Sequence, residues 1–306
     1  MISSPVYTTE NECQDCYKCV RHCPVKAIRI VDGKANVIPE ACVACGECVK
    51  VCPAHAKKIR SDLARLQELV SSGATLYASV APSFAGYFKG VTIGQIAAAL
   101  KAAGFAGVSE TAHGAESVSA HVSKLLDETD SPLVISSACP AAVDMVRKYL
   151  PGYAEFISPL PSPVRAHCRL IKEKYGHNAK VVFFGPCAAK KNESDAHPDE
   201  LALAVIFPAL EQFLAEKGTD FGLRFNGDVP SFVKTDFPDG AGARRPFRLL
   251  SLPLYLASEA RRLVARSAFF AAQGPKNTTF ASCPYFSLMR RQCARTGEGS
   301  GEMKAA

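Results

Sequence analysis

Eight of the thirteen cysteines stand in two copies of one frame: Cys13, Cys16, Cys19, Cys23-Pro24 and Cys42, Cys45, Cys48, Cys52-Pro53. Each copy reads C-x2-C-x2-C-x3-C-P, a spacing that holds [4Fe–4S] clusters. Gaps of two residues let one loop aim three thiolates at one face of a cubane, and the fourth cysteine of each run ligates the neighbouring cluster. The spacing therefore predicts one cluster on Cys13, Cys16, Cys19 and Cys52, and a second on Cys42, Cys45, Cys48 and Cys23. Zinc and disulfides are the competing uses of such cysteines. Zinc sites usually gather four ligands in two pairs, not two runs of four that each end in proline.

A bacterial-type ferredoxin domain needs only about 60 residues, so a chain of 306 is expected to carry a second domain. Hydrophobic content of 48% suffices for a sizeable core. Residues 1–12 have no basic and apolar pattern of an export signal, and no run of about 18 apolar residues suggests a membrane span. Thirteen cysteines in that setting point to a reducing compartment, and the cytoplasm is the expected location. The net charge of +7 is uneven: residues 240–306 carry +8 and the rest −1. That basic tail shows no aromatic interleaving or nucleic-acid module, so nucleic-acid binding is not expected.

Past Pro53, the apolar spacing of Leu63, Leu66, Leu69 and Val70 predicts a helical connector over 61–73, with Ser61 as its N-cap. The rhythm then becomes α/β. Strands are expected at 75–80, 133–136, 180–184 and 203–207, and helices at 93–103, 117–128, 141–150, 164–175 and 208–217. Such alternation argues for parallel sheets with flanking helices. Two cysteines follow expected strands, Cys139 in SSACPAAV and Cys187 in GPCAAKKNE. Ligands in open α/β sheets bind beyond the carboxyl ends of strands, so both could face one site. The plainer use of a lone cysteine is as a small buried hydrophobe.

These two segments resemble the first and second signature motifs of the iron-only ([FeFe]) hydrogenase large subunit, roughly T-S-C-C-P and M-P-C-x-x-K-x-x-E. A ferredoxin domain ahead of the catalytic domain is also usual in that family. The resemblance spans about residues 5–240. It implies an α+β 2[4Fe–4S] domain at 1–60, an iron-hydrogenase-like α/β domain at 74–245, and a divergent or poorly ordered basic tail at 246–306. Cys139 and Cys187 are similar to two ligands of the family's H-cluster cubane, which implies a third [4Fe–4S] or H-cluster-like centre. Lys190 is similar to the lysine that donates to a cyanide ligand, Ser162 to the Ser-Pro segment lining the proton route, and Glu193 to the second-motif glutamate. Apart from the resemblance, Lys190 reads as a solvated loop lysine, Ser162 as part of a Pro-rich turn, and Glu193 as a solvent-facing carboxylate at a helix start.

Two departures weigh against hydrogen turnover. Ala138 stands where the family has a proton-delivering cysteine, and a methyl group has no proton to relay. The third motif, C-x3-C amid glycines, is not found; the tail offers Cys283 and Cys293 at a wider spacing, and Cys168 sits mid-helix, where packing suits it. The expected protein is thus an iron–sulfur electron-transfer or redox-sensing protein on a hydrogenase-like scaffold, with weak hydrogenase activity or none. Its partner would be a ferredoxin or an oxidoreductase. The alternatives are an active hydrogenase and a cluster-assembly scaffold.

Overall fold

The cysteine frame dictates the first part of the fold. In the computed structural model, which describes residues 4–129, 131 and 133–219, the two copies are laid down alike. Strand β1 (Val6–Thr8) precedes the first copy, whose third cysteine, Cys19, sits in helix α1 (Lys18–His22). Strands β2 (Ile28–Val31) and β3 (Lys34–Val37) form an antiparallel hairpin, and helix α2 (Glu47–Val51) then carries Cys48 as α1 carries Cys19. Strand β4 (Lys57–Ile59) closes the lobe by pairing antiparallel with β1. Left-handed backbone recurs in step: Asp15 and Ala44, Tyr17 and Gly46, Lys26 and His55 all have positive φ. Five of these six are not glycine, and each costs roughly 1–2 kcal/mol. This curl winds each loop around its thiols. The core here is small, with Val6, Ala27, Ile28 and Ala35 beside Cys19, Cys23 and Cys48.

Helix α3 (Leu63–Ser71) follows. Its N-cap is Asp62, not Ser61, because Asp62 is held by three basic side chains described below. Leu66, fully buried, joins the main core, so the segment read as a connector packs as part of the α/β layer. Strand β5 (Leu76–Val80), helices α4 (Phe84–Tyr87) and α5 (Ile93–Ala102), strand β6 (Gly107–Glu110) and helices α6 (Ala112–Glu128), α7 (Pro140–Tyr149) and α8 (Pro163–Tyr175) come next. Strand β7 (Lys180–Phe184), helix α9 (Ala189–Ala196), strand β8 (Leu203–Val205) and helix α10 (Phe207–Glu216) complete the described chain. Four strands form one parallel sheet in the order β6-β5-β7-β8. Helix α5 opens with a reciprocal Thr92–Gln95 capping box. Helix α8 opens on Ser162 with Pro163 at its first position, and Gly176 at φ 100° ends it.

A further expectation is corrected. Residues 133–136 are not a strand of the sheet; Ile135 makes only an isolated parallel bridge to Ile157. Its backbone is satisfied by Phe156 and Ser158, and the short apolar run is only half-buried. The sheet's edge is instead β6, a four-residue Gly-Val-Ser-Glu strand too short and too polar to stand out in the sequence. The tail at 246–306, Cys283, Cys293 and the region of the missing third motif lie outside the described residues. Among the described residues no helix is long and apolar enough to cross a membrane.

Candidate redox site

Folding brings the fourth cysteine of each run to the other run. Cys23, Cys42, Cys45 and Cys48 line one cavity with Val6, Ala27, Ile28 and Val37. The thiols ring that space instead of meeting at a point: among the described residues no three His, Cys, Asp or Glu side chains could hold a single metal ion. Burial, reinforced by the neighbouring thiolates of Cys42 and Cys45, pushes Cys48 up to about 12. Burial likewise raises Cys19, and the charges of Cys52 and Cys13 act on it in the same direction. Thiols that raise one another across a small apolar space are poised for a cationic iron–sulfur core, which would hold all of them as thiolates. Backbone amides already point at sulfur: Ala27 N–H donates to Cys23 Sγ at 3.2 Å, Ala44 to Cys42 at 3.3 Å and Ala35 to Cys13 at 3.5 Å. The residues fit the group.

The second candidate site draws on two neighbouring helices. Cys139 is the N-cap of α7, with Pro140 at the first helical position. Cys187 ends the turn Gly185-Pro186-Cys187, which leaves the carboxyl end of β7 and leads into α9. Helix α7 packs against α9, and the Asp144 side chain bonds that of Asn192. Both helices run toward loop 39–44. At the end of α7, Lys148 Nζ donates to Cys42 O at 2.8 Å and Tyr149 Oη to Ala41 O at 2.5 Å. On α9, Asn192 and Asp195 line a surface recess with Pro39, Cys42 and Ala44. Cys139 stands at the amino end of α7 and Cys187 just ahead of that of α9, and a helix amino end favours an anionic group.

Lys190 and Glu193, one turn apart on α9, and Ser162, 28 residues before Lys190, form one cluster. Lys190 is only 6% exposed, and its Nζ donates to Glu193 Oε2 at 2.6 Å and to Ser162 Oγ at 3.0 Å. Lys190 is thus not a solvated loop lysine, nor does Glu193 face solvent as a helix-start carboxylate would. An ammonium has three donors, and Glu193 and Ser162 take up two of those of Lys190. Ser162 combines this contact with capping α8. Cys168, at 0% exposure, packs in the core, and burial pushes its thiol up to about 12. Ala138 lies exposed in the turn before Cys139.

Several buried polar groups were not signalled by any motif. Lys191 Nζ donates to Asp62 Oδ2 and to Ala204 O, both at 2.8 Å, while Arg60 and Arg65 reach both Asp62 and Asp195. Burial works to raise the Asp62 carboxyl, but hydrogen bonds from Lys191, Arg60 and Arg65 outweigh it and hold it low. Within the core, His167 bonds Ser79 Oγ through Nδ1 and Ser109 Oγ through Nε2, both at 2.8 Å. Burial, with His113 nearby, drives its pKa down to about 3. Gly114 lets α6 approach α8 here, since a Cβ would come within 2.1 Å of Pro163 O.

Fold and thiol arrangement together define an iron–sulfur electron-transfer protein built on a hydrogenase-like scaffold. Residues 5–53 match the 4Fe-4S dicluster domain model. Residues 74–226, half of the chain, match the model of the iron only hydrogenase large subunit, C-terminal domain, and the chain belongs to that family. A search of curated proteins found no match.

Proposed function

We propose that the N-terminal lobe holds two [4Fe–4S] clusters, on Cys13, Cys16, Cys19 and Cys52 and on Cys42, Cys45, Cys48 and Cys23. The protein then serves electron transfer or redox sensing in a reducing cytoplasm, exchanging electrons with a ferredoxin or an oxidoreductase. The observation that carries this reading is the exchange of the fourth cysteines: Cys23 sits with Cys42, Cys45 and Cys48, and Cys52 acts on Cys19 beside Cys13. The second of these sites lies toward the α/β domain, because α7 bonds the carbonyls of Ala41 and Cys42. Electrons would leave the lobe there, toward Cys139 and Cys187.

Cys139 and Cys187 would hold a third centre, a [4Fe–4S] cubane or an H-cluster-like group, which would supply one-electron chemistry when bound. Around it, Lys190 keeps a fixed positive charge in a nearly dry site, Glu193 neutralises and orients that ammonium, and Ser162 fixes its direction. Ala138 places a methyl where a final proton donor would be needed, and this favours electron transfer without fast hydrogen turnover. The intact Lys190–Ser162–Glu193 cluster favours a second reading, an active hydrogenase. The full spacing of both cysteine runs favours electron transfer and makes a scaffold that hands its clusters on the weaker alternative.

Anaerobically reconstituted protein is expected to carry about eight irons, or about twelve with a third cubane, with EPR signals after dithionite reduction. A count near four would sink the two-cluster reading. Co-expression with hydrogenase maturases, followed by infrared spectroscopy, separates the two functions. Carbonyl and cyanide bands accompanied by H2 evolution from a reduced dye would decide for the hydrogenase.

A further inference from the structure

Among the positions buried in both cysteine copies, one differs in residue type. Residues after the fourth cysteine run Pro24-Val25-Lys26-Ala27-Ile28 in the first copy and Pro53-Ala54-His55-Ala56-Lys57 in the second. Lys26 and His55 share the left-handed conformation, and Ala27 and Ala56 are equally buried. Ile28 packs in the small core, as an apolar residue should. Its counterpart Lys57 is just as deep, at 2% exposed, yet bears an ammonium. Lys57 Nζ donates to Thr8 Oγ1 at 2.6 Å and to the carbonyl of Ala35. Among the described residues no carboxylate pairs with it, whereas the next residue, Lys58, points outward and pairs with Glu12 at 3.0 Å.

Burying an ammonium without a counter-charge is costly, so a buried lysine normally marks a nearby anion. Lys57 acts on cysteine thiolates, those of Cys13 and Cys19 in the first ligand set and of Cys48 in the second. A [4Fe–4S] core held by four thiolates is itself negatively charged, and more so when reduced. We propose that Lys57 is the built-in counter-charge of the cluster lobe, a positioning residue that stabilises the reduced state, chiefly of the cluster on Cys13, Cys16, Cys19 and Cys52. The first set is favoured because two of its thiols feel Lys57 and because Ala35, whose N–H donates to Cys13 Sγ, is also the residue whose carbonyl accepts from Lys57. This asymmetry would make two clusters of like ligation differ in potential, with the outer one easier to reduce. The inference rests on the two-cluster reading.

The test is EPR-monitored redox titration of the reconstituted full chain against Lys57→Met and Lys57→Gln, with Lys58→Met as the surface control. An iron count near eight in the parent chain secures the underlying reading independently. With the charge removed, the reduced-to-oxidised ratio of one cluster at fixed potential should fall about tenfold, which is about 59 mV for a one-electron couple. The second cluster and the Lys58→Met protein should shift by much less. Full iron with unchanged potentials in both Lys57 variants would overturn the proposal, as would an equal shift in the Lys58→Met protein. Should neither neutral variant retain iron, Lys57→Arg, which keeps the charge, must retain it; loss there too would overturn the proposal.

Discussion

The cluster lobe and the α/β domain hold themselves together by different means. In the domain, side chains such as Leu66, Leu100, Val181, Phe184 and Phe213 are wholly buried and in mutual contact. Phe184 also meets the Phe105 ring edge-on at 5.7 Å between centroids. In the lobe the core is made largely of alanines, two short two-stranded sheets and cysteine side chains, and its loops keep residues such as Asp15, Tyr17 and Ala44 in left-handed backbone. A domain of the first kind is stable through apolar burial. A lobe of the second kind depends on its ligands, as small metal-holding units do. The difference teaches that one chain can combine a part held by apolar burial with a part whose small core leaves more of the work to its ligands.

The sharpest way to break this comparison is to take the iron away. Oxidation in the presence of EDTA is expected to remove amide-exchange protection from β1 to β4 while leaving β5, β7 and β8 protected. Equal loss in both regions would contradict it. A smaller effect in the opposite direction is expected from Phe184→Ala, which should cost about 3–5 kcal/mol by denaturant titration while leaving the iron content of the folded protein unchanged. The smallest effect concerns pH. His167 is held neutral, its pKa lowered to about 3 from an ordinary 6.5, so in that window the unfolded chain binds the extra proton. Stability of the domain should therefore be full above about pH 6.5 and decline as the pH falls toward 3, by up to about 1.4 kcal/mol at pH 5.5. Tyrosine-monitored unfolding should show this slope flattened in His167→Gln.

What the sequence disclosed tracks how local each signal is. The cysteine runs and strand β7 are written in adjacent residues, and β7 spans the residues expected of it. Strand β6 was not legible, because a strand of four residues with one apolar side chain is recognised only by its partner β5. Residues 133–136 misled for the converse reason: their apolar run pairs with a single residue, Ile157, and never enters the sheet. Lys190, Ser162 and Glu193 could be singled out by resemblance, but their meeting needed α8 and α9 in place. Lys57 carries a signal that comparing the two cysteine copies with each other exposes, since the first copy has isoleucine at the same place.

Asp62 has a consequence for how this protein would meet its partners. It stands between the last strand of the lobe and α3, and it is held by Arg60 on one side, Arg65 on the other and Lys191 from α9. A junction pinned from three directions is a weld, not a hinge. A lobe held in this way would not be expected to swing out to fetch an electron and carry it back, in the manner of a tethered shuttle. In the proposed role a donor or acceptor would then come to a fixed outlet, and the rate of exchange would be set by how often partners collide with that face in the right orientation.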